Sequence, residues 1–363
     1  MQKFTFHVVS LPHTQTTAEY THCAFTQKVR KFCNMMSDAG HEVYLYASEE
    51  NEARVKELVT VIDKAKQSEM FGSLNNKNDF FNITWDSSDP AWVWMNQRAI
   101  DEISKRIGPR DFICLIGGSC QKPIADAFGG HISVEYGIGY NGTFASYRVF
   151  ESYSHMHYIY GTDRDDNGRF FDAVIPNYYD LEEFPYRSER PKDPYFLFIG
   201  RLIDRKGYRI AQQVCQRLGK RLILAGQVGP EGYSGYGEYV GVVGVEERGR
   251  LMSGASALFV PTTYLEPFGG VHAEANLCGT PVITTNFGVF TETVTNGVNG
   301  YRCNTFKDFI EAAQKCEKMS ASQRQKIRSL AQERYSTSVV AKSYDDYFKR
   351  LFSLWKEGWY SLD

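Results

Sequence analysis

Twice in this chain a strand-like run leads through a helix-spaced run into another strand-like run. The first instance opens with FTFHVVS, passes through residues 18 to 39 with apolar residues at helical spacing up to Gly40, and reaches HEVYLYA. A βαβ opening predicts parallel strands joined by right-handed crossovers. DFICLIGG and HISVEYG read as further strands, and HYIYGTD and AVIPN close the series. Residues 70 to 98 read as irregular, with Asn/Asp clusters and Trp85, Trp92 and Trp94. SERPKDP, residues 188 to 194, is charged and holds two prolines, and it reads as a linker. After it the rhythm restarts with YFLFIGR, YRIAQQVCQRLG, KRLILAG, YVGVVG, EERGRLMSGA, ALFVPT and PVITT. From Thr305 onward KDFIEAAQKCEKM, SQRQKIRSLAQERY and VVAKSYDDYFKRLFSLW read as three successive helices. The fold class is therefore α/β, with two consecutive doubly wound units.

Length and composition agree with this. At 363 residues two domains are expected, and 42% apolar with 14% aromatic residues suffices for packed cores. The formal charge of −2 carries no basic excess for sequence-specific nucleic-acid binding and no acidic tail. No run of about 18 apolar residues predicts a membrane span, which leaves peripheral contact as the most a membrane would see. MQKFTFHVVS is too short and interrupted for a signal peptide and reads as a first strand. The Cys residues at 23, 33, 114, 120, 215, 278, 303 and 316 form no CxxC pair and no zinc-like spacing. They read as buried thiols in a reducing compartment, the cytoplasm. Without a secretory signal the sequons at Asn82 and Asn141 carry no weight.

The chemistry concentrates in the second half. GRLIDRKG follows the strand YFLFI and offers Arg201 and Lys206, two cations suited to a diphosphate that gains charge as it leaves. GQVGPEG follows RLILA, and Gly226 there permits close backbone approach. After ALFVPT comes YLEPFGGVHAEA, in which Pro267 cannot lie inside a helix and the Gly pair precedes one. Glu266 in the loop can meet sugar hydroxyls, and Glu274 in the helix can accept hydrogen bonds from a ribose diol. Each residue alone reads equally as an ordinary loop or surface charge; together, at the carboxyl ends of parallel strands, they form a specific set.

GRLIDRKG, EPFGGVHAEANLCGTPVITT and ETVTNGVNGY together resemble the family-4 group of retaining glycosyltransferases with the GT-B fold. The resemblance covers 195 to 303 and extends to VIPNYYDLEEF, where Tyr178 and Tyr179 stand in place of a usual Gly-Val. It implies two Rossmann-like doubly wound domains facing a cleft: an acceptor domain over 1–187 and a nucleotide-sugar donor domain over 188–338. A C-terminal helix, 339–363, crosses back to pack on the N-terminal domain. It implies that Arg201 and Lys206 bind the diphosphate and that Glu274 binds the ribose. Glu266, with the backbone of Phe268, Gly269 and Gly270, binds the transferred sugar, and Gly226 lines the donor. It implies retention of anomeric configuration with no metal and no cofactor beyond the nucleoside-diphosphate sugar, and an acceptor hydroxyl on a sugar or another molecule. Where relatives carry a His-Gly near the anomeric centre, this chain has Glu135-Tyr136-Gly137, so Glu135 joins the catalytic candidates. His13 and Tyr136 are acceptor-side candidates, and Thr16 and Thr17 in the same loop read equally as helix caps.

Rival readings exist. GIGYNG, 137–142, fits GxGxxG, follows a strand, is read as preceding a helix and has Asp163 further on. It supports an NAD-dependent enzyme acting on a sugar nucleotide. DRDDNG, 163–168, contains a DxD and begins like a calcium loop, but the twelfth position is Val174 rather than Glu, so it reads as a turn. His155 and His157 would share a strand face with no third ligand. Trp92, Trp94 and Tyr136 read as core or as acceptor-stacking rings. A catalytically inactive GT-B protein that binds a sugar nucleotide is the remaining alternative.

Overall fold

The apolar runs pair side by side, all in parallel, and they do so in two separate sheets. The computed structural model describes residues 2–20, 23–72, 81, 83–188, 191–229 and 232–353. Asn82 of the first sequon, Glu189 and Arg190 of the expected linker, Pro230 and Glu231 of GQVGPEG, and 354–363 of the expected last helix lie outside the described residues.

The first sheet has seven strands in the order β3-β2-β1-β4-β5-β6-β7. They are β1 (Thr5–Val9), β2 (Glu42–Ala47), β3 (Glu57–Thr60), β4 (Phe112–Leu115), β5 (Ile132–Ile138), β6 (Tyr147–Phe150) and β7 (Ala173–Val174). Val8 pairs with Leu45 on one side and Cys114 on the other. The central strands are apolar nearly throughout because helices cover both faces of a parallel sheet. Those helices are α1 (Ala24–Asp38), α2 (Lys64–Phe71), α3 (Pro90–Ile103), α4 (Lys122–Ala127) and α5 (Tyr153–Asp163).

The second sheet has six strands in the order β10-β9-β8-β11-β12-β13. They are β8 (Phe196–Ile199), β9 (Leu222–Ala225), β10 (Glu238–Tyr239), β11 (Leu258–Val260), β12 (Val282–Thr285) and β13 (Gly300–Cys303). Its helices are α6 (Tyr208–Leu218), α7 (Val245–Gly254), α8 (Val271–Leu277), α9 (Phe290–Thr293), α10 (Phe306–Glu317) and α11 (Ala321–Tyr335), and α12 (Thr337–Ser353) follows them in the chain. Thr305 and Ser320 start α10 and α11 with reciprocal capping boxes to Asp308 and Gln323. One core lies on each face. Phe196, Phe198, Val214 and Ala313 belong to one, and Leu197, Leu251, Ala275 and Phe290 to the other.

Two compact units result: Met1–Glu151 with Tyr158–Pro176 and Val340–Asp363, and Ser152–His157 with Asn177–Val339. The sequence reading placed 177–187 with the first unit. In the structure they go with the second, because Tyr179 and Phe184 are buried in its core. The helix α12 begins in the second unit and continues into the first, where Phe348 packs 4.6 Å from Phe6 and Tyr344 5.3 Å from Phe32, centroid to centroid.

Four segments depart from the sequence reading. Of YVGVVG only Tyr239 lies in a strand, at the end of β10. HYIYGTD is not a strand; it is the body of α5, so His155 and His157 share no strand face, and one is buried while the other is exposed. Residues 90–98 are helical, opened by Asp89, whose side chain accepts from Ala91 N at 3.0 Å, and by Pro90 in the first turn. GIGYNG is followed by β6 rather than by a helix, and that strand hides in the sequence because it carries a buried arginine.

That arginine, Arg148, is held by Asp172: Nε lies 3.1 Å from Oδ1 and Nη2 2.5 Å from Oδ2, with both side chains about fully buried. Tyr160 donates to Asp172 Oδ2 at 2.7 Å and Arg148 Nη1 to Thr143 Oγ1 at 3.1 Å. Removing one charge strands the other in a low-dielectric interior. Asp172→Asn is expected to lower the unfolding free energy by about 3 to 5 kcal/mol, read from urea denaturation midpoints.

Candidate active site of the second unit

The strand order of the second sheet reverses at β8, whose neighbours are β9 and β11. In open α/β sheets the carboxyl ends at such a switch point form the ligand crevice. Three backbone features draw the loops after these strands together. Gly207 has φ 78°, and a Cβ there would stand 2.1 Å from the Pro261 carbonyl oxygen, so the loop after β8 rests directly on the end of β11. Thr263 N donates to Arg205 O at 2.9 Å between the same two loops. Gly226 has φ 136°, and a Cβ there would lie 2.0 Å from Gly200 O, so the turn after β9 presses on the end of β8. Packing alone therefore demands glycine at 226, independently of any ligand.

This closeness brings Lys206 and Glu266 into a direct ion pair, although 60 positions separate them. Lys206 ends a single 3₁₀ turn, Asp204–Lys206, and remains partly exposed, whereas Glu266 is only 7% exposed. Thr262 Oγ1 lies 3.5 Å from the same Glu266 oxygen. Tyr264 supports the pair: its ring lies 5.0 Å from Lys206 Nζ and 4.0 Å from the Arg205 guanidinium. Burial and the Glu266 charge push the Tyr264 phenol up, so it stays protonated. Arg201 is exposed, with no ion pair or side-chain hydrogen bond among the described residues.

The rest of EPFGGVHAEA is arranged by its rings. Phe268 is a core residue, 5.7 Å from Tyr335, so only its backbone is available to a ligand. Gly269 has φ 70° and sits against Phe290. The Gly270 carbonyl accepts from Tyr179 Oη at 3.3 Å, which gives the unusual Tyr179 a place in this loop. His272 is buried and donates from Nδ1 to Gly269 O at 2.7 Å; burial pulls its pKa down to about 4, so it is neutral at pH 7. Glu274 follows in α8, 9% exposed, with Oε2 3.3 Å from Arg248 Nε of α7 but not aligned for a hydrogen bond.

Sequence reasoning missed Arg248, Tyr264 and the segment at the start of α5. Ser152 caps α5, accepting from His155 N at 3.0 Å, and its hydroxyl donates to Pro267 O at 2.6 Å. The Glu292 carboxylate, from α9, accepts from Tyr153 N at 3.1 Å and Ser154 N at 2.9 Å. The first amides of α5 are thereby satisfied by an anion and a hydroxyl, as a helix N-terminus requires. Only the weak S/T-cap signal of ESYSH stood in the sequence.

The first-unit candidates are placed differently. Glu135 has no exposed surface; its carboxylate accepts from Phe144 N and Ala145 N at 2.8 Å and from Tyr140 Oη at 3.2 Å, and so holds the loop after β5. Burial raises its pKa, and the two amides and Tyr140 pull the other way. Tyr136 is fully buried, stacked 4.3 Å from Phe32, and Trp92 is equally buried. His13 is buried in the loop after β1. DRDDNG begins on Asp163, the last residue of α5, and continues as a turn, with Asp165 accepting from Asn167 N at 3.1 Å and pairing with Arg169 at 3.3 Å. Among the described residues no group of three His, Cys, Asp or Glu is placed to hold a metal ion.

Residues 181–334 match the family model for glycosyl transferases group 1. Over 148 residues the chain is 32% identical to the glycogen synthase of Mycobacterium tuberculosis, a match spanning 36% of this chain and 36% of that protein. The chain thus aligns with about a third of that relative's length. Among solved structures, the sucrose-phosphate synthase of Thermosynechococcus elongatus superposes with a TM-score of 0.69 at 17% identity, over 96% of this chain and 99% of that one. HepE of Anabaena, in complex with UDP-glucose, does so with a TM-score of 0.63 at 15% identity, over 96% and 100%. The segment 181–334 is thus similar to the group 1 glycosyltransferases, and the two Rossmann-like units have the GT-B fold.

Two outcomes follow from this geometry. Ser152→Ala removes a helix cap and the anchor of the Pro267 carbonyl, and is expected to cost about 1 to 2 kcal/mol in chemical denaturation. For His272, an unfolded chain takes up a proton near pH 6.5 that the folded chain refuses until about pH 4. The unfolded state holds more protons in that window, so stability falls as pH drops through it. Urea titrations at several pH values should show this slope, shallower in His272→Asn.

Proposed function

We propose that the second unit binds a nucleoside-diphosphate sugar and that the protein transfers the sugar to an acceptor hydroxyl with retention of anomeric configuration. The observation that carries this reading is the Lys206–Glu266 pair at the switch point of the second sheet. A buried carboxylate facing a partly exposed ammonium is ready for a ligand with an anionic end and a hydroxylated end. The diphosphate draws on Lys206 and on Arg201, and Glu266 turns to the sugar hydroxyls. Glu274, beside Arg248, takes the ribose diol. The backbone at Phe268, Gly269 and Gly270 lies between these carboxylates in the chain and lines the sugar. That HepE was solved with UDP-glucose supports a sugar nucleotide as the class of donor.

In this reading the acceptor hydroxyl attacks the anomeric carbon on the face from which the nucleoside diphosphate departs. The carbon–oxygen bond to phosphate breaks as the new glycosidic bond forms, through an oxocarbenium-like transition state. The departing phosphate takes the acceptor proton, so no separate general base is required. Glu135, without exposed surface and engaged by its own loop, is left out of the chemical step. Arg201 and Lys206 stabilise the charge that grows on the leaving group. A divalent ion is not needed for this, since the two cations supply the charge.

The NAD-dependent alternative loses its footing in the geometry. Its fingerprint needs a helix after GIGYNG to receive the pyrophosphate, and a strand stands there instead. A Cβ at Gly139 would lie 3.0 Å from the Glu151 carboxylate, so the loop faces a like charge rather than an open cradle. Seven of the eight cysteines are buried and no disulfide joins the described residues, which fits a reducing compartment such as the cytoplasm.

Lys206→Ala and Arg201→Ala are each expected to lower turnover about 100- to 1000-fold at saturating donor. Glu274→Gln should raise the donor KM with turnover largely kept, because ribose is held equally before and during reaction. Glu266→Gln should lower turnover itself. Steady-state kinetics with varied donor at fixed acceptor distinguishes the two, and equal behaviour overturns the division of roles. Chelator treatment should leave activity unchanged; loss restored by a divalent ion overturns the metal-free reading. A protein that binds nucleotide sugars yet neither transfers nor slowly hydrolyses them would be the inactive alternative.

A further inference from the structure

The first sheet has a switch point of its own, between β2 and β4 around β1. The segments leaving β1 and β4 there are ringed by aromatic side chains. His13, in the loop after β1, meets the rings of Phe71 and Trp85, each 6.4 Å away between centroids. Trp85 meets Phe25 at 6.2 Å, and Phe25 meets Tyr140 at 5.7 Å. Tyr140 in turn lies over Gly118 beyond β4, where a Cβ would stand 3.0 Å from its ring.

Two members of this ring are unusual. Trp85 is 50% exposed, yet it is not loose: the buried Trp92 backs it at 5.5 Å, and Trp92 itself donates to Thr84 O at 3.0 Å. A large apolar face is thus held rigidly toward solvent. His13 is 6% exposed, and its Nδ1 has no hydrogen-bond partner among the described residues. A half-turn of an imidazole about χ2 exchanges its nitrogens and carbons, so the unmet need belongs to the ring and not to one edge. Burial pulls the His13 pKa down to about 4, so near pH 7 the ring is neutral and can both donate and accept.

We propose that this ring at the switch point of the first sheet is a carbohydrate site, in which a pyranose lays its C–H face on Trp85 and a hydroxyl completes the hydrogen bonding of His13. Resting on the transfer reading above, the occupant is the glycosyl acceptor, and the acceptor class is a saccharide. A purely apolar occupant would leave His13 unsatisfied at the cost of a buried polar group. An anionic occupant would meet Lys28, 4.7 Å from the Phe25 ring, already paired with the buried Glu151. A sugar ring supplies an apolar face and hydroxyl groups at once, which is the pairing these two side chains present. Of the three stacking candidates in the sequence, Trp92 and Tyr136 are fully buried, and the exposed ring of Trp94 has Lys66 Nζ over it, 4.2 Å from its centroid.

The probes are the methyl α- and β-pyranosides of glucose, galactose and mannose, titrated into the whole protein. The chain has five tryptophans, so the difference in emission between wild type and Trp85→Phe isolates the Trp85 signal. At least one pyranoside should change that difference signal. Its affinity, measured by ligand-observed NMR, should fall about tenfold in Trp85→Ala and in His13→Phe. Thermal stabilisation by a nucleoside diphosphate should be the same in all forms, which also shows that each variant is folded. The proposal is overturned if no pyranoside alters the Trp85 signal, or if Trp85→Ala and His13→Phe bind as wild type does. If the nucleotide stabilises no form, the donor reading fails instead, and the pyranoside titration still decides this site.

Discussion

The contact between Gly207 and the Pro261 carbonyl holds the second-unit site together. It lets the loop after β8 lie on the end of β11 with no side chain between them. The Gly226–Gly200 contact does the same between β9 and β8. These backbone approaches, and not any single charged residue, bring a lysine and a glutamate 60 positions apart into one ion pair. Any side chain at either glycine would need a strained backbone and would force the loops apart, and the charges would then face water separately.

A second layer fixes the loop that carries Glu266. Its Pro267 carbonyl is taken by Ser152, its Gly269 carbonyl by His272, and its Gly270 carbonyl by Tyr179. Each of these donors comes from a different element, and none is a charged group. The arrangement leaves Glu266 and Glu274 as the carboxylates of the stretch, each beside one cation and each nearly buried. Positioning by neutral hydrogen bonds and charge by specific pairs are thus divided between different residues.

Much of this was legible in the sequence, for identifiable reasons. YFLFIGR, KRLILAG, ALFVPT and PVITT announce themselves because strands buried on both faces are nearly unbroken apolar runs. The capping residues Thr305 and Ser320 mark α10 and α11 because a cap acts within four residues. Arg201, Lys206, Glu266 and Glu274 stand out because unusual residues gather at strand ends. By contrast β6 was illegible, since YRVF has an arginine at its centre whose partner, Asp172, lies 24 positions away. The start of α5 was missed because its capping carboxylate, Glu292, is contributed from more than 130 positions along the chain. HYIYGTD reads as a strand from its β-branched and aromatic residues, and tertiary packing overrides that weak preference.

What the sequence determined by itself is local in origin: two series of parallel strands, the last helices with their caps, and the set of polar residues at the strand ends of the second unit. These follow from periodicity, capping and turn chemistry, which act over a few residues. Tertiary structure alone decided which charges pair and which face inward. It made Lys206 the partner of Glu266 and Arg248 that of Glu274. It sealed Glu135 inside its loop, and it left Trp85, rather than Trp92 or Tyr136, as the exposed ring beside His13. Burial and pairing are properties of strand order and loop contact, and a charge or an aromatic face acquires its role only when the distant segment that covers or opposes it has been brought alongside.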